Sequence, residues 1–212
     1  MRATALLLLL AALPATAGAP CVTCHAGSAE RSYSLSKHGV ISHIEAGRER
    51  RRVPDCAGCH VFEATAPTAK HYASNKARAT AREQAGESCR ACHSPRYVTE
   101  QLAAAQRGLA IGEMKQREAE AVVATARREV TGEASSRLDA LLATMRDVNL
   151  RDLRLGLAHQ SPDYQWWLGQ AALDGSLLRI KGVLGEARRG QAGNASPLPD
   201  QLSNATAKAA TM

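Results

Sequence analysis

Six cysteines are the whole cysteine content of this 212-residue chain, and all six fall into one repeated pattern. The three copies are Cys21-Val-Thr-Cys24-His25, Cys56-Ala-Gly-Cys59-His60 and Cys89-Arg-Ala-Cys92-His93. Two thiols three residues apart can each add to one vinyl group of a haem, and the adjacent histidine then lies beneath the iron as its proximal ligand. Disulfide pairing would give no reason for a histidine after every second cysteine. Zinc takes four ligands, and pairing two such half-sites leaves the third copy unmatched. Thioredoxin-like redox sites also use Cys-x-x-Cys, but rarely as three copies in one small domain. The pattern therefore predicts three covalently bound haem c groups, with Cys21, Cys24, Cys56, Cys59, Cys89 and Cys92 as attachment points and His25, His60 and His93 as proximal ligands.

Four histidines remain: His38, His43, His71 and His159. Three irons each need a sixth ligand, and three of these four would make every haem bis-histidine ligated. Methionine is the competing ligand, but Met114 and Met145 sit in helical patterns as packing residues. His38 and His43, five residues apart, point about 140° away from each other on a helix, so they serve different irons or one is surplus. His71 follows the loop Ala66-Pro67-Thr68-Ala69-Lys70 and is placed to open a helix near the second haem.

Composition agrees with this reading. One Phe, two Trp and four Tyr are few for a globular core, so the interior must be aliphatic or partly non-protein. The formal charge of +7 points at first to an acidic partner. Haem propionates would offset most of it, which argues against nucleic-acid binding. The basic run Arg48-Glu49-Arg50-Arg51-Arg52 reads as a solvated loop, or as a group that pairs with propionates or docks an acidic redox partner.

The N-terminus carries Arg2, an apolar run from Leu6 to Leu13 and the small residues Ala15-Thr16-Ala17. This is the pattern of a cleaved secretory signal over residues 1–19, and it places the mature chain in the periplasm or otherwise outside the cytoplasm. The run is shorter than the roughly 20 residues a membrane span needs, and no other segment is apolar enough, so no stable span is expected.

The fold expected is all-α. Residues 20–98 hold every haem motif and should form a haem-packed region of short helices and loops. Residues 99–190 should form a long-helix antiparallel bundle. Its first helix is marked by Leu102, Leu109, Ala119, Val122, Val123, Ala126 and Val130, softened near Gly108 and Gly112 and capped by Gly132. Its second carries Leu138, Leu141, Leu142, Met145, Val148 and Leu155, with His159 on the same stripe. Ser161-Pro162-Asp163 opens a third, with Trp166, Leu173, Leu177, Ile180 and Leu184 inward. Residues 191–212 are small, polar and unpatterned, and read as a disordered tail.

Several stretches resemble the hydroxylamine oxidoreductase group of multihaem cytochromes. They are Ser36-Lys37-His38-Gly39-Val40-Ile41, Cys89-Arg-Ala-Cys-His-Ser94 leading into a long helix, and Ala158-His159-Gln160-Ser161-Pro162-Asp163-Tyr164 ahead of Trp166-Trp167. The resemblance covers about Cys21 to Gly190 and only the later part of such an enzyme. It implies that His38 and His159 are distal ligands, with His71 a third, and that the C-terminal helices serve homo-oligomer formation. Family enzymes carry about eight haems, one of them catalytic. Three haems match a terminal electron-relay portion, so the function expected is single-electron transfer between redox partner proteins, other cytochromes or a multihaem oxidoreductase. A small enzyme acting on a nitrogen or sulfur compound, or an electron-transfer subunit of a larger one, is the alternative. Tyr164 is not matched to the tyrosine that cross-links neighbouring subunits in some members.

Overall fold

A computed structural model describes residues 21–49, 51–60, 83 and 86–194; the signal-like N-terminus, His71 and residues 195–212 lie outside them. The described residues are mostly helical and contain no strand. Four short helices come first: α1 (Val22–His25), α2 (Ser28–Ser34), α3 (Lys37–Ile44) and α4 (Cys56–His60). A helical turn at 86–90 precedes α5 (Pro95–Ala126), the longest element. After it come α6 (Gly132–Thr144), a π-helical segment (Met145–Asn149) and α7 (Leu150–Ala158), forming one continuous rod. The last rod joins α8 (Pro162–Tyr164), a second π-helical segment (Gln165–Gln170) and α9 (Ala171–Asn194).

Local chemistry explains the boundaries. Ser94 caps α5 by accepting the Tyr97 N–H at 3.3 Å, and Pro95 occupies the first helical position, where its missing N–H costs nothing. The softening expected near Gly108 and Gly112 does not occur. Leu157 lies against Gly108, and Leu153, Leu150 and Leu173 crowd Gly112, so packing outweighs a propensity penalty of about 1 kcal/mol per glycine. Gly132 does not cap α5 either. That helix ends at Ala126, and Gly132, with φ 62°, starts α6 in the left-handed region.

The three rods share an aliphatic core that includes Val123, Leu138, Met145, Leu153, Leu173 and Ile180. Helix α9 packs on α5 and α6, and α7 packs on α5 and on the second π segment. Four expected packing residues lie elsewhere: Leu102, Met114, Val148 and Trp166 are exposed (37%, 56%, 40% and 54%). Leu102 and Met114 lie on the outer face of α5. For the other two, the cause is the π segments in which they sit. A π turn closes its hydrogen bond one residue later than an α turn, so a stripe extended at α-helical spacing drifts off the core. Around the second segment, Tyr164 just before it and Gly169 within it are buried instead of Trp166. Gln191 to Asn194, expected in the tail, continue α9 as its last turn. Among the described residues no helix is long and apolar enough to cross a membrane.

Candidate functional site

Helix α2 holds the Cys-x-x-Cys-His region against the helical rods. Ser28 and Ser32, one turn apart, face α7, and the Arg151 guanidinium donates to Ser28 Oγ at 3.3 Å. The buried Tyr164 belongs to the same seam, where burial pushes its phenol up and its hydroxyl interacts with Ser28 and Asp152. Tyr164 thus lies in the core of its own chain. On its other side, α2 sends Tyr33 to the second motif, its hydroxyl donating to the Pro54 carbonyl at 2.8 Å. Asp55 then accepts the Gly58 N–H at 3.1 Å and orders the first turn of α4, which carries Cys56, Cys59 and His60.

Helix α3 is positioned by its first four residues. Ser36 caps it by accepting the Gly39 N–H at 3.1 Å. Gly39 is buried so tightly against α2 that a β-carbon there would land on the Tyr33 carbonyl, and it would lie 2.7 Å from the Ser34 Cα. This contact sets the position of His38 one residue earlier. At the far end of α3, His43 is exposed. The two histidines therefore face different surroundings, as their spacing requires.

His159 stands at the end of α7 in a Schellman motif. The Gln160 N–H donates to the Leu157 carbonyl at 3.3 Å, and the Ser161 N–H donates to that of Gly156 at 2.9 Å. Gln160 takes the left-handed conformation (φ 52°) usually left to glycine, and its amide also donates to the Leu157 carbonyl at 2.9 Å. Gly156 permits this corner, because a β-carbon there would lie 2.6 Å from the Gln165 nitrogen. The next residue keeps a secret of its own chemistry: Ser161 Oγ is fully buried and finds no hydrogen-bond partner among the described residues, so Ser161 holds the N-cap position without capping.

These elements bring motif histidines to non-motif histidines. The His60 and His159 rings have centroids 6.2 Å apart at 84°, and those of His38 and His93 are 5.9 Å apart at 32°. Tyr33 meets His159 edge-on at 6.1 Å, and Tyr97 stacks on His93 at 5.0 Å. Burial and, secondarily, His60 pull the His159 imidazole down to about 4. Burial, then His93, also lowers His38. Both are held as neutral imidazoles, the form that binds a metal. The three motifs also converge on one another. Cys56 interacts electrostatically with Cys21, Cys59 with Cys89, and His60 with His25. Among the described residues, no disulfide joins Cys21, Cys56, Cys59, Cys89 or Cys92.

The basic run folds back on its own segment. Glu45 is buried (0% exposed) and accepts the Arg52 N–H at 2.9 Å, the Arg52 Nε–H, and Arg48 at 3.6 Å. The Arg52 backbone N–H, then its guanidinium, holds the Glu45 carboxyl below the usual range. Arg51 reaches Asp55 at 3.7 Å. Arg48, Arg51 and Arg52 are thus neither plain solvated charges nor all free to meet a partner.

Ser32, Tyr33 and Glu45 are the site residues that sequence reasoning passed over. The one available signal was the spacing of Ser28 and Ser32 directly behind the first motif, which places both hydroxyls on one face. A scan against protein-family models finds no match, and a search of curated proteins finds none either.

Proposed function

We propose that this chain is an exported tri-haem c-type cytochrome that relays single electrons between redox partners through bis-histidine haems. One observation carries the reading: two histidines from Cys-x-x-Cys-His motifs each face a histidine from outside them. Two imidazoles bound at about 2 Å on opposite sides of one metal ion have ring centres about 6 Å apart. The separations of 6.2 Å and 5.9 Å fit that requirement. The donor set fits as well, with paired thiols for the vinyl groups and neutral imidazoles for iron.

On this reading Cys56, Cys59, His60 and His159 hold one haem, and Cys89, Cys92, His93 and His38 hold another. Cys21, Cys24 and His25 hold the third, for which His43 and His71 remain as candidate ligands. Haem iron supplies reversible one-electron chemistry when bound. The protein's part would be to supply two histidines to each iron and leave it no position open to a small molecule. Homo-oligomer formation or docking on a larger multihaem protein is the role this reading gives the C-terminal helices.

The test is low-temperature EPR of the air-oxidised holoprotein with a carbon monoxide difference spectrum of the reduced form. Only low-spin signals and no carbon monoxide uptake are expected. One of them should show the highly anisotropic shape of perpendicular imidazole planes, from the His60–His159 pair. A high-spin haem that takes up carbon monoxide would replace this reading with that of a small oxidoreductase.

A further inference from the structure

We infer that Ser32 is a positioning residue for His159, fixing the tautomer and ring orientation that leave Nε2 free to bind iron. The inference rests on the reading of His159 as a distal haem ligand. Ser32 is fully buried on α2. Its hydroxyl donates to the Ala29 carbonyl at 2.9 Å, and the same oxygen meets His159 Nδ1 in a short hydrogen bond. A serine hydroxyl has one proton. With that proton committed to Ala29, only a lone pair is left to face the imidazole, so Nδ1 carries the hydrogen and donates it. A neutral imidazole has a single N–H, and Nε2 is therefore the bare nitrogen.

The edge-on Tyr33 ring restrains the same imidazole from a second direction, and the Schellman corner fixes its backbone. Ser32 and Tyr33 are neighbours in α2, so one short helix sets both the tautomer and the rotation of a ligand 127 residues away from Ser32. A hydrogen bond from the outer nitrogen of a ligating histidine raises its basicity and tunes the metal it holds. Here it would favour the ferric state and lower the potential of the haem shared with His60.

The experiment compares holoprotein carrying S32A, S32T, S28A or H159A with the wild type. Each is followed by potentiometric titration and carbon monoxide uptake, with far-ultraviolet circular dichroism to check folding. S32A should move one haem's midpoint potential in the positive direction and raise the carbon monoxide-reactive fraction of that haem about tenfold. S32T, which keeps the hydroxyl, should restore both values. S28A, which alters the same seam one turn earlier, should change neither. An S32A protein that matches the wild type in potential and carbon monoxide uptake overturns the inference, as does an S28A protein that shifts as far as S32A. A different result tests the reading beneath it: H159A should open one haem fully to carbon monoxide, and if it does not, His159 is no ligand.

Discussion

Between Val98 and Leu184 the interior is made of aliphatic side chains, with Leu138, Met145, Leu153, Leu173 and Ile180 each entirely shielded. Among the described residues before Val98, the buried set is different in kind. Ser32, Ser36, Gly39, Glu45 and Gly86 are buried, and no large apolar side chain is. One half can therefore stabilise itself by removing hydrocarbon from water. The other is tied by single polar contacts and close backbone approaches. The proposed haems would supply apolar bulk there. The difference teaches that one chain can combine two means of stabilisation, and that each half should fail in its own way.

The largest expected effect separates the halves outright. Produced without haem attachment, the chain should lose protease resistance across residues 21–60, while 98–190 stays protected; equal cleavage of both would break the comparison. Next comes Leu153→Ala, which removes a core side chain lying against Gly112 and Gly169. It should cost about 2–5 kcal/mol in denaturant unfolding of the helical half, with the low-spin EPR signals kept in the protein that remains folded. Gly39→Ala is the counterpart in the other half. It should cost about 1–3 kcal/mol through overpacking against Tyr33, and it should alter the EPR signal assigned to the His38–His93 pair.

Smaller effects sharpen the contrast further. Arg52→Ala removes the guanidinium that helps hold the Glu45 carboxyl low. A depressed carboxyl contributes stability that is present above its unfolded pKa and lost as pH falls through its folded one. The gap in stability between wild type and Arg52→Ala should thus be full at neutral pH and close on acidification below the ordinary carboxylate range. Gln160→Ala should have the smallest effect. It forfeits one amide–carbonyl hydrogen bond, worth about 0.5–1.5 kcal/mol, measurable as a small fall in the thermal midpoint.

Much of this was legible beforehand, and the failures have a common physical source. The helical half follows hydrophobic periodicity, and Leu138, Leu173, Leu177, Ile180 and Leu184 are buried where their spacing put them. Val148 and Trp166 were misread because each sits in a π segment, and periodicity analysis assumes an unbroken α-helical repeat. Gly108 and Gly112 were misread because local propensity says nothing of the leucines that arrive from α7. In the candidate site, the motif histidines and their partners His38 and His159 were named from pattern and resemblance. Their pairing was not, since it depends on how α2 and α3 meet α4 and α7. Ser32 left only its spacing from Ser28 in the sequence, because a buried serine and a surface serine are written alike.

The seam at α2 also bears on how such a chain can be inherited. The change of composition near residue 98 invites a cut between a cofactor module and a helical module. A recombination event at that point would part Ser32 and Tyr33 from His159, and Ser28 from Arg151. A new helical partner would have to offer a histidine at the same helix end and an arginine two turns before it. The two halves differ in how they are held together, yet they can be exchanged only as a unit.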